Sequence, residues 1–176
     1  VAMYFAKENG RNNWRFFSAE MNQRAQERLS IENYLRLALR RGELVLHYQP
    51  RIRMADGALT GVEALVRWSH PRRGLLDPGK FIDVAEDSGL IVPIGEWVLE
   101  SACRQLGEWQ AVLGKGFRIS VNLSVGQLAD ADRLYGAVQK AVRGSGIDPC
   151  ALELELTESI LMQNLEEKAQ LLNRLG

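Results

Sequence analysis

The sequence predicts an α/β fold that opens on an antiparallel hairpin and continues in parallel βα units, and three observations carry this. Strand-like alternation recurs near residues 44–49, 62–68, 117–122 and 152–157. Ala55-Asp56-Gly57 joins the first two of these segments by a tight turn, whereas helical patterns longer than a strand separate the later ones. Each of the three later segments also carries an apolar face opposite a polar one.

The chain is organised around Gly61-Val62-Glu63-Ala64-Leu65-Val66-Arg67-Trp68. With period 2, Val62, Ala64, Val66 and Trp68 share the packing face, and Glu63, Leu65 and Arg67 share the other. Glu63 and Arg67 are then about 13 Å apart along the strand, at about 3.3 Å per residue.

From the N-terminus, residues 1–29 differ in character from the remainder of the chain. Val1 to Lys7 begins mid-helix, Asn9-Gly10-Arg11-Asn12-Asn13 is a turn cluster, and Trp14-Arg15-Phe16-Phe17 is a short aromatic strand. A segment this short buries no core of its own, so it reads as the end of another domain, with 18–29 a polar helical linker. Ser30 is a candidate N-cap for a helix with Ile31, Tyr34, Leu35, Ala38 and Leu39 on one face, closed by Gly42. Leu44, Leu46 and Tyr48 alternate with Val45, His47 and Gln49. Asp77-Pro78 reads as N-cap and first helical residue of a helix ending near Gly89. A long amphipathic helix comes next, with Trp97, Val98, Ala102, Leu106 and Trp109 inside. Phe117, Ile119 and Val121 then alternate with Arg118, Ser120 and Asn122, and a helix spans about 130–143. Leu152, Leu154 and Leu156 alternate with Glu153, Glu155 and Thr157, before a last helix with Leu165, Ala169, Leu172 and Leu175.

Composition narrows the function. The 176 residues are 46% hydrophobic, with 22 basic and 22 acidic side chains, which argues against broad electrostatic binding to nucleic acid or an anionic membrane. No apolar run approaches the roughly 18 residues of a membrane span. Cys103 and Cys150 read as reduced thiols of a cytoplasmic protein, and His47 and His70 lack companions at metal-ligand spacing.

Parallel βα units that curl into a barrel place reactive groups at the C-terminal ends of the strands, and Glu63, Asn122 and Glu155 all fall at such positions. Barrel interiors are ordinarily filled with branched apolar residues, so a repeated polar lining points to a site. Two carboxylates and an amide form a hard oxygen set suited to Mg²⁺ or Mn²⁺ rather than zinc. Arg67 adds a phosphate clamp and Gln49 a hydrogen-bonding amide, a combination that suggests phosphoester chemistry.

At these residues the sequence resembles the EAL family of cyclic di-GMP phosphodiesterases. The resemblance is carried by Tyr48-Gln49-Pro50, by Gly61 to Trp68, by Phe81-Ile82 with Ala85-Glu86, by Asn122-Leu123-Ser124 with Gln127-Leu128, and by Glu153 to Ser159. Ala2 to Asn12 resembles the C-terminal end of a GGDEF diguanylate cyclase domain without its signature loop. The resemblance implies a TIM-like (β/α) barrel with an antiparallel first strand, entered here over roughly its first half. It makes residues 1–29 a GGDEF remnant with a linker helix, and 30–176 the N-terminal part of an EAL domain. It implies metal-dependent hydrolysis of cyclic di-GMP to linear pGpG, with Glu63 catalytic and Glu63, Asn122 and Glu155 as metal ligands. Gln49, Arg67 and Gln127 then contact the dinucleotide, and Glu158 stands behind the ligands. The family's two divalent cations, Mg²⁺ or Mn²⁺, are implied too, as is a homodimeric cytoplasmic parent protein, free or tethered to the inner membrane by upstream segments. The family's later motifs, an Asp-Asp-Phe-Gly-type strand end, a lysine and a further glutamate, do not occur in this sequence. Lys140 and Lys168 sit in helical patterns and do not replace that lysine. A non-catalytic cyclic di-GMP receptor is the alternative, and the isolated chain is expected to be inactive.

Overall fold

In the computed structural model, residues 19–156 are described; the aromatic strand expected at 14–17, the last helix and Glu158 lie outside them. Helix α1 (Ala19–Arg41) leads into β1 (Leu44–Ile52), β2 (Leu59–His70) and β3 (Gly74–Leu76). A 3-10 turn (Pro78–Lys80), α2 (Ile82–Asp87) and α3 (Ile91–Leu113) precede β4 (Arg118–Asn122). The short α4 (Val125–Leu128), α5 (Ala131–Ser145) and a second 3-10 turn (Pro149–Ala151) lead to β5 (Leu152–Glu155).

The strands form one sheet in the order β1-β2-β4-β5, with β3 paired to the end of β2. β1 runs antiparallel to β2, while β2–β4 and β4–β5 are parallel. The expected hairpin and the expected βα units are therefore both present. Gly57, at φ 71°, makes the hairpin turn, and Asp56 fixes it by accepting from Arg53 and from the Ala58 amide.

Two expected helix starts differ. α1 runs through Ser30 without a break. The amides of residues 31–33 find carbonyls in the preceding turn, so no cap is needed there. The helix does end at Gly42, at φ 64°, where the Glu43 amide donates to the Ala38 carbonyl at 2.9 Å. The helix expected after Asp77 is split, because Phe81 leaves helical geometry to enter the core at 1% exposure. Asp77 makes no capping hydrogen bond with its side chain.

One face of the sheet is dry. Val62, Ala64, Trp68, Ile119 and Val121 meet Val98, Leu99, Ala102 and Leu106 of α3 in a single buried cluster. Trp97 and Trp109 pack partly buried at its margin, and Trp109 stands edge-on to Tyr48 and Phe117. At the far end of β2, buried His70 lies against Tyr34 and Trp68, its Nδ1 accepting from the Arg72 amide at 3.1 Å. Burial, and secondarily Arg73, push the His70 pKa below its ordinary 6.5. The folded state thus resists a proton that the unfolded chain accepts, so stability is full above pH ~6.5 and falls as the pH drops below it. A urea midpoint that declines between pH 7 and 5 in the wild type, and declines less in His70→Phe, is the expected result.

The polar face is concave. Arg51 on β1 and Glu153 on β5 form an ion pair although two strands lie between them. Strands about 4.8 Å apart would hold those backbones roughly 14 Å from one another in a flat sheet. Both side chains must lean toward one another over the polar face to meet across that span.

Candidate active site

Register assembles the polar face. Gln49 stands opposite Glu63, Glu63 beside Ser120, Ser120 beside Glu153, and Asn122 beside Glu155. Gly61 makes this approach possible. A Cβ there would lie 2.5 Å from the Arg118 carbonyl oxygen, so only glycine lets β2 come this near β4.

The parallel β2–β4 pair brings Asn122 diagonally onto Glu63, and Asn122 Nδ2 donates to Glu63 Oε1 at 2.6 Å. This bond leaves the Asn122 Oδ1 and the second Glu63 oxygen available as donors to a cation. Glu155 is half-buried beside Asn122, and its backbone carbonyl accepts from the Leu123 amide at 2.9 Å. Among the described residues no three His, Cys, Asp or Glu side chains cluster at metal-binding distance. The oxygen donors on offer are therefore two carboxylates and one amide, a set that fits a hard divalent cation completed by ligands from elsewhere.

Arg67 lies further along β2 with its side chain 19% exposed. Its Nε binds Asp77 Oδ1 at 2.9 Å, and its Nη1 donates to the Val66 carbonyl at 3.1 Å. The residue read as a helix cap thus holds the Arg67 guanidinium. Gln49 is exposed beside Glu63, free to meet a ligand.

Gln127 is not brought to the site. It is buried against Gly95 of α3, and its Oε1 accepts from the Ser124 amide at 3.1 Å. Its amide oxygen thus closes the turn after β4, and the contact of Gln127 with the dinucleotide stays an expectation of the resemblance.

Three residues of the polar face, Arg51, Arg118 and Glu153, were missed as site-builders. Glu153 accepts from Arg51 and, at 3.2 Å, from Arg118. The Arg51 bond, with a smaller share from Arg118, holds the Glu153 carboxyl below the usual carboxylate range. Alternation already put Glu153 on this face, but nothing local marks it as the glutamate that pairs with Arg51 across the sheet.

A family model described as the EAL domain matches residues 32–176. The chain belongs to the EAL domain family. Among its relatives is the bifunctional diguanylate cyclase/cyclic di-GMP phosphodiesterase MucR of Pseudomonas aeruginosa, 47% identical over 176 residues, which is 100% of this chain and 26% of MucR. The cyclic di-GMP phosphodiesterase PdeR of Escherichia coli is 45% identical over 94% of this chain and 25% of its own length. The chain thus spans about a quarter of these curated relatives. A solved structure titled as the PaMucR phosphodiesterase in complex with c-di-GMP superposes with a TM-score of 0.79 at 44% identity, over 83% of this chain and 59% of that one. The EAL fold accounts for the antiparallel first strand and the concave polar wall.

Proposed function

We propose that the protein carrying this EAL domain hydrolyses cyclic di-GMP to linear pGpG, with Glu63, Asn122 and Glu155 supplying oxygen ligands to a divalent cation, Mg²⁺ or Mn²⁺. The observation that carries this reading is the 2.6 Å bond locking Asn122 to Glu63, which presents the amide and the carboxylate together beside Glu155. The names of MucR and PdeR support the reaction, and the c-di-GMP complex of the PaMucR phosphodiesterase supports the ligand. A divalent cation bound there would supply Lewis acidity to the phosphodiester and to the attacking water. The chain's own residues do the rest: Glu63 and Glu155 contribute negative charge, Asn122 orients Glu63, and Arg67 and Gln49 hold phosphate and guanine-nucleotide polar groups. We read residues 1–29 as the end of a preceding cyclase-type domain, a reading supported by the match to bifunctional MucR across the whole chain.

The test incubates the full-length protein with cyclic di-GMP and Mn²⁺ and follows pGpG by chromatography. Product that disappears in Glu63→Ala supports the reading. Tight binding without product assigns the protein to the receptor class instead.

Arg67 gives a second, milder test. Asp77 is 78% exposed, so it orients the guanidinium through a solvent-screened pair. Asp77→Ala should raise KM for cyclic di-GMP about two- to fivefold, the size of an exposed ion pair, and leave kcat within a factor of about two. Steady-state kinetics at saturating Mn²⁺ checks it.

A further inference from the structure

The polar wall carries more charge than the proposed chemistry uses. Three carboxylates, Glu63, Glu153 and Glu155, face two guanidinium groups, Arg51 and Arg118, across the same concave surface. Glu153 is a register neighbour of Ser120, which in turn neighbours Glu63, and it lies two residues before Glu155 on β5. Ser120 between them is fully buried, and its Oγ has no hydrogen-bond partner among the described residues. Ser120 makes no described bond to Glu153, and among the described residues the side-chain donors that meet the Glu153 charge are Arg51 and Arg118.

Arg51 comes from the opposite end of the sheet. It stands across from Gly61, where no side chain blocks its path over β2. From that position it bonds Glu153, which lies two residues before Glu155, and it stands on β1 two residues from Gln49, the register partner of Glu63. A guanidinium placed so is a resident positive charge beside the carboxylates that would receive a cation.

We infer that Arg51, tethered by Glu153, is a built-in counter-charge that sets the divalent-cation affinity of the Glu63–Asn122–Glu155 site. The inference deepens the metal reading proposed above and rests on it. Arg51 is a positioning and charge-balancing residue and not a ligand. It keeps the carboxylates together before a cation arrives, and it weakens the cation's hold when one is bound. Glu153 acts in the opposite sense, drawing the guanidinium's charge away from Glu63 and Glu155.

A scaffolding role and a charge-balancing role differ in sign, which makes the inference testable without measuring turnover. Mn²⁺ binding to the full-length protein is titrated by the electron paramagnetic resonance signal of the free ion, in wild type and in Arg51→Gln, Arg51→Lys, Glu153→Gln and Glu63→Gln. Arg51→Gln should bind Mn²⁺ roughly three- to tenfold tighter, since a positive charge near the site is removed at intermediate dielectric. Glu153→Gln should bind it weaker by a similar factor, and Arg51→Lys should stay near wild type. Both differences should shrink as ionic strength rises.

If Arg51→Gln and Glu153→Gln weaken binding alike, the pair merely shapes the wall and the inference is overturned. Unchanged affinity in both overturns it as well. If Mn²⁺ binding is indifferent to Glu63→Gln, the cation site itself is wrongly placed, and that failure is separate from the first. Should Arg51→Gln not fold, wild-type affinity in Arg51→Lys together with a loss in Glu153→Gln that fades as ionic strength rises supports the inference, and a salt-independent loss in both overturns it.

Discussion

Glu63→Gln in the full-length protein should lower pGpG formation at least about a thousandfold, a loss of ~4 kcal/mol in transition-state stabilisation, while leaving the domain folded. The substitution is chosen for its shape. Glutamine keeps an oxygen that can accept from Asn122 Nδ2, so the 2.6 Å contact that aligns the two side chains survives. What it removes is the negative charge, in a proposed ligand set whose charge, among the described residues, comes from Glu63 and Glu155 beside the neutral amide of Asn122. The urea midpoint should therefore move little, because Glu63 is only half-buried and keeps its partner. Cyclic di-GMP binding should persist through Arg67 and Gln49, so the defect should fall on kcat more than on KM. A Glu63→Gln protein that still turns over at near wild-type rate would place the catalytic metal elsewhere and reject the proposed site.

The parts of this site that sequence could reveal are those set by period-2 alternation. It put Glu63, Asn122 and Glu155 on the polar faces of their strands, and the register then brings them together. The hairpin was legible as well, because a left-handed glycine at position 57 leaves a local signature. What escaped depends on partners distant in sequence or on competition for one side chain. Asp77 has every local mark of a helix cap, yet Phe81 is drawn into the core, the helix splits, and the carboxylate turns to Arg67. Ser30 also resembles a cap, but α1 already runs on both sides of it. Gln127 sits in a four-residue helix, too short for periodicity to tell its buried side from its exposed one. The Arg51–Glu153 pair joins residues 102 positions apart, and it depends on a strand order and register that no local pattern announces.

Trp68→Ala should cost the domain about 3–5 kcal/mol, the usual range for emptying a fully buried aromatic site, and it should also reach the ligand face. Trp68 has no exposed surface. It lies 4.7 Å from the ring of His70 and stands edge-on to Phe81 at 5.7 Å, and its Nε1 donates to Glu43 at 3.1 Å. Losing the indole leaves a cavity and strands the Glu43 carboxylate without that donor, two penalties that act together. Phe81 is the residue most directly released. It comes straight after the Pro78–Lys80 turn, whose amide geometry begins at Asp77, so a mobile Phe81 loosens the carboxylate that orients Arg67. Trp68→Ala should therefore lower the urea midpoint and, at temperatures where the domain remains folded, raise KM for cyclic di-GMP by at least as much as Asp77→Ala. Trp68→Phe retains most of the ring volume and gives up the Glu43 bond, so it should recover much of the stability and nearly all of the KM. If KM instead stays at its wild-type value in a clearly destabilised Trp68→Ala protein, Arg67 is held by its own strand and the Asp77 arm has no part in presenting it.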